Sequence, residues 1–258
     1  MTPKVRLHLD QPLAPGQPLV LDRDQANYLF AVMRLQVGDA ILVFNGRDGE
    51  WRCEVREASK RQGVLEAVAM TRPLRPAPDL WLLFAPIRRA RLDVTVEKAV
   101  ELGVARLQPV QTEFTNSERI RPEKMAAHII EAAEQCGATH LPELGDLVPL
   151  SRLLADWPAD RQILWCDEGE ADQPPGSPTA GDAPAARVSA IARLQAMPRG
   201  PWAIIIGPEG GFSPTERDRL KDLPFVHRIG LGPRILRAET AAIAAITLWQ
   251  ATLGDWQD

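Results

Sequence analysis

Apolar positions in the first seventy residues come in short alternating runs, whereas the rest of the chain sets longer apolar stretches between helical stripes. Residues 19–21, 40–44, 51–55 and 63–69 are short runs bounded by Gly, Pro and Asp, which predicts strands. Asn45-Gly46 and Asp48-Gly49 supply hairpin turns between two of them. Residues 24–35 (DQANYLFAVMRL) instead place Tyr28, Val32 and Leu35 on one helical face, and Val37-Gly38-Asp39 ends that segment. A small β-barrel carrying one helix is therefore expected over residues 1–72.

TRPLRPAPD, residues 71–79, puts three prolines and two arginines between patterned segments and marks the boundary of a second domain, 73–258. Beyond it strand and helix alternate, which predicts an α/β domain with a mostly parallel sheet covered on both faces. Strands are expected at 80–84, 105–110, 163–166, 203–206 and 226–231. One helix is expected over 92–102, with Leu92, Val96 and Ala99 buried and Gly103 as its stop. Another starts at Pro122, with Met125, Ile129, Ala133 and Cys136 as its stripe and Gly137 as its end. Ser213-Pro214-Thr215-Glu216 is a capping box with proline at the first helical position, and an alanine-rich helix is expected over 239–253. Residues 167–186 hold four prolines and three glycines and read as a mobile surface loop.

Composition narrows the class. A chain of 258 residues, 45% hydrophobic and 25% charged, matches a globular protein of one large or two unequal domains and argues against a mainly disordered, fibrous or membrane-spanning one. No apolar run reaches the roughly 18 to 20 residues of a bilayer crossing, and the start lacks a secretory apolar stretch, so no membrane association and a cytoplasmic location are expected. Three widely spaced cysteines, without C-x-x-C or H-E-x-x-H, point to neither a disulfide scaffold nor a metal site. The net charge is −4, divided as +1 over residues 1–72 and −5 over the remainder. Any RNA binding must then come from local patches. Arg72, Arg75, Arg88, Arg89 and Arg91 form one such group, which reads as a phosphate-binding patch or as solvated charge.

Three segments could carry chemistry. In WAIIIGPEGGFSPTE, residues 202–216, an apolar strand runs through three glycines into a capped helix. This is either a tight turn needing positive φ or backbone bared for a ligand at a strand end. The absence of a Gly-Lys-Ser/Thr sequence and of G-x-G-x-x-G disfavours ordinary ATP and NAD sites. In IGLGPRILRAETAAIAAI, residues 229–246, a Gly-Pro turn joins a strand to a helix, with Arg234, Arg237 and Glu239 at the turn or helix start. These charges mark a pocket or a solvated loop in which Glu239 complements the helix N-terminus. In residues 97–120 the polar loop 112–119 is an RNA contact or a plain connector, and Lys98 and Glu101 read as solvent-facing.

NYLFAVMRLQVGD, FNGRDGEW, EKAVELGV, EAAEQC, IIIGPEGGFSPTE and LGPRILRAETAAIAAITLWQ together resemble the RsmE family of 16S ribosomal RNA uridine N3-methyltransferases, in the SPOUT superfamily. The resemblance covers nearly the whole chain, and its last two motifs are the most specific. It implies a PUA-like β-barrel followed by a SPOUT α/β domain with a C-terminal trefoil knot, a homodimer, and S-adenosylmethionine (SAM) held by the knot loops near 16S rRNA of the small ribosomal subunit. By motif, the cofactor loops are Gly207, Pro208, Glu209, Gly210 and Gly211, then Leu231, Gly232, Ile235, Leu236 and Ala238, with Trp165 and Cys166 as a third wall. Arg34, Arg88, Arg119 and Arg237 are the candidate RNA contacts.

Uracil N3 attacks well only once its proton has left and charge spreads onto O2 and O4. Arg234 is the candidate cation for that charge, and Glu239 would orient it or relay the proton. Two departures stand out: Asn27 where family members usually have His, and Ala138 where an Arg is common, which bears on a dimer or RNA contact. The insert at 167–186 is also longer than the family needs. The alternatives are a non-catalytic RNA-binding assembly factor and a SPOUT methyltransferase for another RNA position.

Overall fold

The computed structural model describes residues 3, 5–115, 120–167 and 189–257. The expected loop at 167–186 lies, apart from Asp167, outside the described residues, as does Arg119. The chain separates into two compact units, Met1–Pro76 with Ile130–Leu141, and Ala77–Ile129 with Pro142–Asp258.

The first unit holds β1 (Arg6–His8), β2 (Pro18–Leu21), β3 (Ala40–Phe44), β4 (Glu50–Ala58) and β5 (Gly63–Arg72). They form one sheet in the order β1-β3-β4-β5-β2, antiparallel except for β1 against β3. Register shifts along β4 and β5 are bulges that bend the long hairpin, and Leu19, Ile41, Val43, Cys53, Val55 and Leu65 meet in one buried cluster. Asn45-Gly46 and Asp48-Gly49 sit in a single loop. There the Asn45 side chain accepts from the backbone N–H groups of Arg47 and Asp48, and both glycines have positive φ.

Residues 24–35 depart from a regular helix. A four-residue α1 (Arg23–Ala26), capped by Asp22, passes into a π-helix over Asn27–Val32. Ala26 and Leu29 are buried, while Tyr28 and Val32, two of the three residues read onto one helical face, are exposed.

Ile130–Leu141 joins this unit through backbone hydrogen bonding. The Arg6 guanidinium donates to the carbonyls of Ala133, in the last turn of the helix Pro122–Cys136, and of Ala138 beyond it, and the Glu134 carboxylate accepts from the His8 N–H. Arg6 and Arg72 also clasp Glu50, whose side chain is 2% exposed. Arg72 thus pairs with a buried carboxylate while its own side chain stays half-exposed. Neither pairing is visible from local spacing.

The second unit is a parallel sheet with the path β12-β10-β11-β6-β7-β8. Its strands are β6 (Leu80–Phe84), β7 (Arg106–Gln111), β8 (Glu143–Leu144), β9 (Val148–Pro149, paired to β7), β10 (Gln162–Cys166), β11 (Trp202–Ile206) and β12 (Val226–Ile229). β11 is buried along its whole length, as a central strand covered on both faces should be. Leu83, Ile163, Trp165, Ala203 and Ile205 join one cluster with Leu150, Leu154, Phe212 and Leu220, which come from α4 (Leu150–Ala155), α6 (Pro214–Asp222) and the loop before α6. Ile204 and Ile206 point to the opposite face, where α2 (Arg89–Glu101), α5 (Ala190–Gln195) and α7 (Ala238–Thr252) pack together.

Gln250 of α7 donates to the carbonyls of Leu102 and Gly103 at the end of α2, where Gly103 takes φ +76° as the expected stop. In α3 (Pro122–Cys136), Met125, Ile129 and Ala133 are buried as expected, but Cys136 is exposed because the stripe turns outward at the helix end.

Candidate active site

Three parallel strands stop at the same level. Cys166 of β10 pairs in register with Ile229 of β12, and Trp165 with Ile205 of β11, so the segments that follow leave the sheet side by side. They enclose a cavity of about 180 Å³ at the carboxyl ends of the strands, the usual place for a ligand in an open α/β sheet.

Each wall has a local cause. After β11, the turn closes with Gly211 N–H donating to the Pro208 carbonyl at 2.9 Å, and Gly211 takes φ +68°. Gly207 is required for a different reason: a Cβ there would come within 2.9 Å of the Phe212 ring, which packs edge-on to Trp165. The Ser213–Glu216 capping box then starts α6. After β12, Gly232 turns the chain at φ +109°, and the strand-like Arg237 precedes α7, whose small Ala238 and Ala241 leave space.

Of the residues singled out by sequence, the cavity brings together Cys166, Gly207, Pro208, Glu209, Leu231, Gly232, Arg234, Ile235, Leu236, Arg237 and Ala238. Trp165 lies behind the wall, fully buried. Gly210 and Gly211 shape the turn without lining the cavity; the Cβ side of Gly210 faces Phe114. Glu239 also lies outside the lining and faces Arg91 at 3.7 Å rather than Arg234. Arg234 is exposed and, among the described residues, has no ion-pair or hydrogen-bond partner.

Asp167, Ile206 and Ala241 complete the lining and were missed by sequence reading. The Asp167 carboxylate, 1% exposed, is held at 2.7 Å by both Arg217 and Arg228, so its charge is spent inside the wall. Burial pushes the Cys166 thiol up to about 12 and leaves it an inert wall.

Arg91, on the first turn of α2, stands 4.0 Å from Glu209 and 3.7 Å from Glu239, between the two loops. The arginine group read from sequence is thus divided: Arg72 and Arg75 belong to the first unit, Arg88, Arg89 and Arg91 to the second. Arg88 occupies the N-cap of α2. Arg34, in the first unit, is exposed with φ +58°, beside exposed Val32 and Met33. No cluster of potential metal ligands occurs among the described residues, and no helix there is long and apolar enough to cross a membrane.

Fold and site together define the class: a SPOUT α/β-knot methyltransferase domain preceded by a PUA-like barrel. The model of the RNA methyltransferase domain family matches residues 75–250, and that of the RNA methyltransferase PUA domain matches residues 21–68. The chain belongs to this RNA methyltransferase family.

A ribosomal RNA small subunit methyltransferase E of Neisseria gonorrhoeae, solved bound to S-adenosyl methionine, is 25% identical with a TM-score of 0.80, over 98% of this chain and 99% of that one. A Legionella pneumophila protein assigned as a methyltransferase, in complex with the bound cofactor SAM, is 30% identical with a TM-score of 0.78, over 97% and 98% of the two chains. Among curated proteins, ribosomal RNA small subunit methyltransferase E of Rickettsia conorii is 27% identical over 243 residues, 93% of each chain.

Proposed function

We propose that the chain transfers a methyl group from SAM to N3 of a uridine in 16S rRNA of the small ribosomal subunit, acting as a cytoplasmic homodimer. The observation that carries this reading is the single cavity into which both glycine-bearing bends open at the ends of β10, β11 and β12. Its chemistry suits a nucleoside sulfonium. Ile206, Leu231, Ile235 and Leu236 offer an apolar slot for a base, and the glycine turns bare backbone groups for its edge. Glu209 offers a carboxylate to a diol or an ammonium.

When bound, SAM supplies an electrophilic methyl group for an in-line displacement. The protein positions and stabilises. Arg234, in the cavity lining and without a competing partner among the described residues, is the cation for the charge that spreads over O2 and O4 of the uracil. Glu239, outside the cavity lining, acts through Arg91 to keep the loops in position. Arg237 in the cavity wall and Arg88 at the N-cap of α2 contact the RNA phosphates.

Mass mapping of rRNA tests the reading. A strain lacking this protein should lose one N3-methyluridine from 16S rRNA, and the purified protein with SAM should restore it to isolated small subunits. Loss of a methyl group at another position would reassign the substrate. Absence of both SAM binding and any lost methylation would leave a non-catalytic assembly factor.

A further inference from the structure

A second cavity, of about 240 Å³, lies between α2 and the start of α3 and is outside the site described above. Its floor is apolar, with Ile87, Val96 and Met125 all buried and Leu92 half-buried. Its rim carries the exposed cations Arg89, Arg121 and Lys124. The carboxylate in the lining, Asp93, is engaged by His128 at 3.5 Å and by Arg89 at 4.0 Å. An apolar slot under a cationic rim complements a molecule that pairs a flat apolar body with an anionic group. In a chain of net charge −4, that local excess is not a general property of the surface.

Position narrows the occupant. Arg89, Leu92, Asp93 and Val96 follow the i, i+3, i+4, i+7 spacing of one helix face, whereas Arg91 projects from another toward Glu209 and Glu239. One helix, roughly 10 to 12 Å across, therefore separates the two cavities. A strand that places its reacting base at the first can lay a neighbouring nucleotide over the start of α2 into the second.

We infer that this second cavity is an RNA subsite that holds a nucleotide flanking the methylated one, its base on Val96 and Met125 and its phosphate on Arg121 and Lys124. The inference rests on the methyltransferase reading above.

Steady-state methylation of small ribosomal subunits from a strain lacking the modification tests it, with SAM binding followed by calorimetry. Arg121→Glu and Lys124→Glu, both on exposed side chains, should each raise KM for the subunits about tenfold or more and make it less salt-dependent. Affinity for SAM should stay within about twofold in both variants. Arg199→Glu makes the same charge change at the opposite end of β11 and should leave KM nearly unaltered. Met125→Trp, which fills the slot, should also raise KM; should it fail to fold, the two rim variants still decide.

Unchanged KM in the rim variants, or a rise no larger than that of Arg199→Glu, overturns the subsite. So does a change of oligomeric state in these variants without a change in KM, which would make the cavity a protein interface. Wild-type protein that binds no SAM and methylates no subunit sinks the methyltransferase reading itself, a result distinct from either of these.

Discussion

The Arg91 guanidinium stands 3.7 Å from the Glu239 carboxylate, joining the first turn of α2 to the first turn of α7 although nearly 150 positions separate them in the chain. Glu209, 4.0 Å away, brings the other glycine loop to the same cation. Arg91 thus couples the two halves of the cavity. Partly exposed ion pairs are worth well under about 1 kcal/mol each. Arg91→Ala should therefore weaken SAM binding only about two- to tenfold and leave the fold intact, as calorimetry and thermal melting would show.

Arg234 calls for the opposite pattern. It has no partner to lose among the described residues, so Arg234→Ala should leave SAM affinity within about threefold. Single-turnover methyl transfer should fall about 10²- to 10³-fold, the usual loss when one charge-stabilising donor is removed. Near-normal single-turnover methylation with intact SAM binding would remove Arg234 from the chemistry.

The glycines separate into two tests. At Gly232 a Cβ meets nothing within 4 Å, but φ is +109°, so Gly232→Ala strains the backbone by roughly 1 to 3 kcal/mol and should lower stability by that amount and loosen SAM binding, with no neighbouring side chain whose trimming would relieve it. At Gly207 the added atom strikes the Phe212 ring. Gly207→Ala should therefore lower the melting temperature as well as SAM affinity, and Phe212→Leu in the same chain should recover part of the stability.

Acid should weaken the first unit through Glu50. Burial pushes its carboxyl up, but hydrogen bonds from Arg72, Arg6 and Thr71 outweigh that and hold it at about 2. Because the folded value lies below the unfolded one, the stabilisation is complete above about pH 4.5 and is lost as pH falls toward 2, on the order of 3 kcal/mol in all. Urea unfolding at pH 6 and pH 3, followed by the signal of the first unit, should show this loss in the parent and a flatter dependence in Glu50→Gln.

Legibility divided along physical lines. β3, β6, the Ser213 capping box and both glycine bends were readable because each is encoded within a few residues by alternation, turn chemistry or a cap. The π-helix was not, since DQANYLFAVMRL has a regular helical period and nothing local marks the wider turn over Asn27–Val32. Nor were the arginine assignments: Arg91 with Glu239, Arg72 with Glu50, and Arg217 with Asp167 join positions 22 to 148 apart. Charge runs state where cations are but not which carboxylates they meet. The strand order β12-β10-β11-β6, which sets the three loops side by side, also lies beyond local pattern.

A co-crystal with S-adenosylhomocysteine tests the account most directly. Density for the ligand should lie between Cys166, Gly207–Glu209 and Leu231–Ala238, with Arg234 facing the sulfur side. Ligand bound elsewhere on the chain, with that cavity filled by its own side chains, would contradict it.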